Sequence, residues 1–242
     1  MDDHELAADL ATRAGALLLD VRAEYADADV AERKAAGDGR SHEFLLDALT
    51  SARPSDAVLS EEGADDPVRL SSERVWIIDP LDGTREFSEL DRDDWAVHVA
   101  LWQGGDLVAG AVALPAQNIT LSTLGTPRRP APPSKPRVVV SRTRPPAVAL
   151  QVRDLLDGTL VAMGSAGAKV AAVVKGGADV YVHAGGQCEW GSAAPVAVAR
   201  AAGLHCSRLD GSALRYNRPD PLLPDLVVCL PEYADAVLKA TS

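Results

Sequence analysis

Apolar residues near the N-terminus recur at helical spacing. Leu6, Leu10, Ala14, Leu17 and Val21 fall on one stripe, which predicts an amphipathic helix over residues 4–25. The chain then turns polar through RKAAGDGRSHE, and Phe44, Leu45, Ala48 and Leu49 restore the helical period for a second helix. Short apolar runs follow. AVLS reads as a short strand that ends at Glu61 and Glu62, and VWIID as a strand ending at Asp79. WAVHVALW is strand-like, Gly104 and Gly105 signal a hairpin into DLVAGAVAL, and NITLST makes a further strand. Two helices followed by antiparallel strands predict an α+β half over residues 1–126.

A proline-rich stretch with few apolar residues, 127–136, reads as a linker. Beyond it strands and helices alternate over 137–242: RVVVS, then a helix in AVALQVRDLL, TLVAM, a helix in SAGAKVAAVVKGG, ADVYV, a helix in SAAPVAVARAAG, DLVVCL, and a last helix from Pro231. This predicts an α/β half.

Composition narrows the function classes. The 242 residues are 47% apolar, ample for a packed core, and the net charge is −11. So acidic a chain is expected to bind neither nucleic acid nor a membrane surface. A small phosphorylated substrate remains open to it if a metal supplies positive charge locally. Cys188, Cys206 and Cys229 form no CxxC pair and read as buried reduced thiols, and DDHEL after Met1 lacks the features of a signal peptide, so a cytoplasmic location is expected.

The chemistry concentrates in DPLDGT, where Asp79 and Asp82 flank Pro80–Leu81. Asp, Pro, Asp and Gly each favour turns, so an ordinary turn is one reading. The other is a carboxylate cluster at a strand end, since hard divalent cations take oxygen ligands and share them with phosphate. SEE, ending the preceding strand, supplies two more carboxylates.

LSEE, WIIDPLDGT, GSAGAK and EWGSAAP together resemble the inositol monophosphatase superfamily over nearly the whole chain, and DPLDGT with REF and DDWAVHVALW is most similar to its CysQ branch of 3′(2′),5′-bisphosphate nucleotidases, in its actinobacterial form. The resemblance implies a layered α-β-α-β-α sandwich with the site between the halves. It implies a Mg²⁺-dependent phosphatase, with two or three ions for which Mn²⁺ substitutes, inhibited by Li⁺ and forming a homodimer. The implied substrate is 3′-phosphoadenosine 5′-phosphate, with inositol and fructose phosphates as alternatives. Glu61 matches a metal-binding and catalytic glutamate, Asp79 the carboxylate that bridges metals, Leu81 a carbonyl ligand and Asp82 a second-metal ligand. Gly83 and Thr84 would offer N–H groups to phosphate. Thr84 with Asp38 would activate water, although a turn aspartate beside Gly39 is an equal reading of Asp38. Gly164 and Ser165 would lie near the leaving group. His183 stands where inositol phosphatases carry a substrate-binding glutamate. His98 reads as a core residue or one beside the metals, Trp95 and Trp102 as core, and SRTR as an exposed basic loop.

One position departs from the pattern. The family carries Trp-Asp where this chain has Trp190–Gly191, so the ligand that completes the second metal position is missing. Gly191 is acceptable as a helix N-cap. Glu189 could stand in for the missing carboxylate only if its segment were strand-like. This opens a third reading, a phosphonucleotide-binding protein that no longer catalyses.

Overall fold

The computed structural model describes residues 1–125 and 127–241. Helix α1 (Asp3–Glu24) begins at Asp2, whose side chain accepts from the Glu5 N–H while Glu5 reaches back to the Asp2 N–H. Its apolar stripe is buried as its spacing requires. Helix α2 (Val30–Ala52) is longer than expected, because the polar segment RKAAGDGRSHE is helical throughout. Asp29 caps it, and Gly37 faces inward: a Cβ there would lie 2.7 Å from the Phe87 ring and 2.9 Å from Leu81 Cδ2. Asp38 is therefore a helical residue, not a turn residue.

Five strands form the first sheet, in the order β1 (Ala57–Ser60), β2 (Arg74–Asp82), β3 (Ala96–Gln103), β4 (Asp106–Leu114), β5 (Ile119–Ser122). Only β1 and β2 are parallel; the rest pair antiparallel. The β3–β4 hairpin turns at Gly104 and Gly105, both at positive φ. A short helix, α3 (Thr84–Ser88), follows β2.

The proline-rich stretch carries no helix or strand, yet it is fastened. Arg129 Nη2 donates to Asp179 Oδ1 at 2.6 Å, and Pro130 packs over Gly176. The second sheet runs β7 (Thr159–Met163), β6 (Arg137–Ser141), β8 (Val180–Cys188), β10 (Leu222–Cys229), β9 (His205–Ser207). It is mixed: β6 is parallel to β7 and β8, and β10 is antiparallel to β8 and β9. The short edge strand β9 has too few apolar residues to stand out in the sequence. Helices α4 (Ala147–Leu155), α5 (Ala166–Lys175), α6 (Ala193–Ala201) and α7 (Ala234–Thr241) complete the chain.

Side-chain alternation on the strands sorts these elements into layers. Trp76, Ile78, Val97, Val99 and Leu101 join the core with α1 and α2. Val75, Ile77, Ala96 and Ala100 face the other way and join α5, α6, Val139 and Tyr181. Val138, Val140, Val180 and Val182 meet α4 and α7 on the far side. The order is thus helices, sheet, helices, sheet, helices: the α-β-α-β-α sandwich. Trp95 is fully buried in the first core with its ring edge-on to Phe87, and Trp102 packs against the central one.

Candidate active site

Strand β2 does not end at Asp79. It continues to Asp82 through an irregularity: Asp79 pairs with His98, and Asp82, not Leu81, pairs with Ala96. Residues three apart on a regular strand point to opposite faces, and the one extra residue of the bulge cancels that. Both carboxyls consequently reach the same histidine. Asp79 Oδ2 lies 3.8 Å from His98 Nδ1, and Asp82 Oδ2 lies 3.2 Å from His98 Nε2, an approach too oblique for a regular hydrogen bond. Pro80 suits the bulge because it has no N–H to leave unpaired, and its carbonyl accepts from Ser41 Oγ at 2.7 Å. Leu81 turns into the α1–α2 core. So DPLD is a bulged strand, neither a simple turn nor a strand end.

The two aspartates have different environments. Asp82 Oδ2 accepts from Ser165 Oγ at 2.5 Å and from Gly167 N at 2.6 Å, and Oδ1 from Ala166 N at 3.3 Å, all at the start of α5. Burial pushes the Asp82 carboxyl up, but His98, the Ser165 hydroxyl and the Gly167 N–H outweigh it and hold the carboxyl down at about 2. Gly167 permits this docking, since a Cβ there would fall 2.1 Å from His98 Nε2. Asp79, 2% exposed, is pushed well above the carboxylate range, first by burial and then by the charges of Asp82 and Glu61. The neighbouring Glu61 carboxyl acts on it in the same direction. Glu61 follows β1, whose Ser60 pairs with Ile78, and this register sets it beside Asp79. Burial raises Glu61 too, its hydrogen bond with Asp79 opposes this, and the charges of Asp82 and Glu62 add to it.

Thr84 Oγ1 lies 3.2 Å from both Asp38 Oδ1 and the Leu81 carbonyl oxygen. The pairing of Asp38 with Thr84 across 46 positions of sequence is therefore present. Burial first, then the charge of Glu62, raises the Asp38 carboxyl to about 6, with the Thr84 hydrogen bond pulling the other way. Gly83, at φ 86°, makes the turn into α3, and the first N–H groups of that helix have no partner within it.

Glu61, Asp79, Asp82, Thr84, Trp190 and Gly191 line one cavity of about 300 Å³. Three carboxyls and no lysine, arginine or histidine line it, so the cavity by itself repels phosphate. Crowded acids, one of them pushed up by burial and by its neighbours' charges, are a donor set that calls for a cation, and oxygen donors of this kind suit Mg²⁺ or Mn²⁺. Among the described residues no group of three or more His, Cys, Asp or Glu is arranged to hold a metal ion as it stands. A cation here would compete with the Ser165 hydroxyl and the Gly167 N–H for the Asp82 oxygens.

Other expected residues fall elsewhere. Ser165 spends its hydroxyl on Asp82 and on capping Ala168 N, and Gly164 packs so tightly on Glu86 that a Cβ would come within 2.2 Å of Glu86 Cγ. His183 does not line the cavity; it is half-buried on β8, and burial followed by the charge of Lys169 lowers its pKa. Arg142 of SRTR is not a free basic loop, for it donates to Glu86 at 2.7 Å and Glu89 at 2.8 Å. Cys188 is half-exposed on the cavity wall rather than buried. Residues 189–191 form a 3-10 turn, and the N-cap of α6 is Ser192, not Gly191. Glu189 is not available to replace a ligand, because its two oxygens accept from Asn217 N at 2.6 Å and Arg218 N at 2.9 Å. A Cβ at Gly191 would meet nothing within 4 Å.

Comparison with known proteins bears on the fold and the family. The chain is 51% identical to a 3′-phosphoadenosine 5′-phosphate phosphatase of Mycobacterium leprae over 98% of this chain and 93% of that protein. It is 31% identical to the 3′(2′),5′-bisphosphate nucleotidase CysQ of Escherichia coli, over 78% of this chain and 81% of that one. The crystal structure of CysQ from Bacteroides thetaiotaomicron superposes with a TM-score of 0.77 at 28% identity, covering 94% of this chain and 97% of that one. The profile of the inositol monophosphatase family matches residues 3–129 and 132–241, and the chain belongs to that family.

Proposed function

We propose that this protein is a divalent-cation-dependent phosphatase that removes the 3′-phosphate of 3′-phosphoadenosine 5′-phosphate, giving AMP and phosphate. The observation that carries this reading is the cavity of acids beside the Asp38–Thr84 pair: it can accept a phosphate only with a cation, and it holds a base next to a hydroxyl. The relatives named above act, by their names, on this class of substrate.

Glu61, Asp79, the Leu81 carbonyl and Asp82 would hold Mg²⁺, with Mn²⁺ as a substitute. When bound, the cation neutralises phosphoryl charge and acidifies water. The remaining chemistry falls to the chain. Asp38, poised near pH 6, takes a proton from water that the Thr84 hydroxyl orients. The N–H groups of Gly83 and Thr84 face phosphate oxygens. His98 and Ser165 keep Asp82 ionised and aimed.

Asp38→Asn tests the base. The raised carboxyl in the folded state means that ionised Asp38 costs stability: the folded state is favoured below the unfolded value of 3.8, and that advantage is lost as pH rises through about 6. The amide should thus raise stability at pH 7 by about 1 kcal/mol after allowing for solvent screening, measured by urea unfolding in EDTA. It should cut turnover at least about 100-fold and remove the acid limb of the pH–rate profile. A variant that retains that limb would assign the base elsewhere.

Lithium inhibition belongs to the same reading. Li⁺ titrated at low Mg²⁺ should slow phosphate release, and added Mg²⁺ should relieve it; no effect at any Mg²⁺ level would remove the support.

Gly191 favours a second reading, a protein that binds phosphonucleotides with little turnover. Binding of 3′-phosphoadenosine 5′-phosphate without phosphate release would establish it.

A further inference from the structure

The chain is acidic overall, yet three arginines converge on one hollow. Arg208, Arg215 and Arg218, with Asp220, Leu222 and Leu223, line a cavity of about 460 Å³. Arg208 is committed, donating twice to Asp225 at 2.7 Å. Asp220 is turned to its own loop, where Oδ1 accepts from Leu222 N at 3.0 Å. The guanidinium groups of Arg215 and Arg218 have no hydrogen bond or ion pair among the described residues.

Arg218 is free only at its tip. Its N–H donates to Glu189 at 2.9 Å, and its carbonyl accepts from Arg69 Nη2 at 2.9 Å. Arg69 and Glu189 are each 1% exposed. The preceding residue, Asn217, sits at φ 57° and is tied to the same pair, accepting from Arg69 Nη1 at 2.8 Å and donating to Glu189 at 2.6 Å. Burying two charged side chains carries a desolvation cost. Here it fixes the main chain of a turn whose Arg218 guanidinium makes no hydrogen bond or ion pair among the described residues.

The hollow adjoins the acid cavity. Leu222 and Leu223 pair with Cys188 and Gln187, which line the acid cavity, and paired strands lie about 4.8 Å apart. Glu189, which anchors Arg218, is followed directly by Trp190 and Gly191 of the acid cavity.

We propose that the hollow of Arg215 and Arg218 is the subsite for a second phosphate of the substrate, the one that is not hydrolysed. This deepens the phosphatase reading and rests on it. The two cavities divide the work by charge. The acid cavity needs a cation to accept phosphate. The hollow offers two uncommitted guanidinium groups, whose planar donors match phosphate oxygens without metal. A substrate with two phosphates on one ribose engages both, and a monophosphate engages only the first.

The test compares 3′-phosphoadenosine 5′-phosphate with adenosine 3′-monophosphate at fixed Mg²⁺, using the native chain, Arg215→Gln, Arg218→Gln and the double variant. The ratio of kcat/KM for the bisphosphate to that for the monophosphate should fall about 10-fold or more in the double variant, mainly through KM for the bisphosphate. A ratio unchanged within about twofold overturns the proposal. So does inorganic phosphate that alters the native rate on the monophosphate without competing with the bisphosphate, since the hollow would then serve a separate effector. If the native chain hydrolyses neither compound, the phosphatase reading fails. Calorimetry of both nucleotides in EDTA then decides the subsite: tighter binding of the bisphosphate, lost in the double variant, upholds it, and equal binding of the two overturns it.

Discussion

Asp79→Asn is expected to lower phosphate release at least about 100-fold, the upper range for residues that merely support a metal ligand, while the protein stays folded. Asp79 lies where Glu61, Asp82 and His98 converge, so neutralising it removes the charge that a cation at this point most needs. The fold does not need that charge. Asparagine keeps an oxygen to accept from Leu81 N, as Asp79 Oδ1 does at 3.2 Å, and an amide N–H₂ to donate to Glu61. Because burial and like charges push the Asp79 carboxyl up, the neutral amide should be at least as stable near neutral pH in EDTA. Steady-state assays with circular dichroism check both halves of the statement. Near-native turnover by a folded variant would remove Asp79 from the mechanism.

Gly191→Asp is expected to raise turnover about 10-fold or more and to lower the Mg²⁺ concentration required. A side chain at this position enters open space, and Gly191 is not in a left-handed conformation, so the substitution brings neither clash nor strain. Helix α6 keeps its own N-cap, Ser192. The new carboxylate would join Asp79 and Asp82 on the cavity wall, and Glu189 cannot already supply it because Asn217 and Arg218 occupy its oxygens. Gly191→Asn is the control: it adds the same bulk without the charge and should do little. Equal turnover and equal Mg²⁺ dependence in the native chain and the Gly191→Asp variant would show that the site is complete without a carboxylate there.

Much of the sandwich was legible because alternation on a strand is a physical record of which layers it faces. Val75 and Ile77 against Trp76 and Ile78 is such a record. The polar stretch around Asp38 misled because the buried face of α2 there is made by Arg33, Gly37 and Ser41, which leave no apolar period to read. The bulge at Pro80–Leu81 was equally hidden. Asp79 and Asp82 share a face only because β3 pairs out of step with β2, and register is a property of two strands. His98 was legible as a core residue because it is a titratable residue inside an apolar strand, and it is fully buried within reach of both aspartates. The roles of Ser165 and Gly167 as donors to Asp82, and of Glu189 as an anchor, have no local signature, because each acts on a partner at least 28 positions away.

If the acid cavity hydrolyses a phosphate with the help of a divalent cation, product release must follow the cation. The most direct measurement is phosphate release from 3′-phosphoadenosine 5′-phosphate by the native chain and by Gly191→Asp across a Mg²⁺ series that includes EDTA. The expected result is AMP and phosphate as products, no release in EDTA, saturation with Mg²⁺, and a lower Mg²⁺ requirement for Gly191→Asp. No release by either protein at any Mg²⁺ concentration, or release undiminished by EDTA, would contradict it.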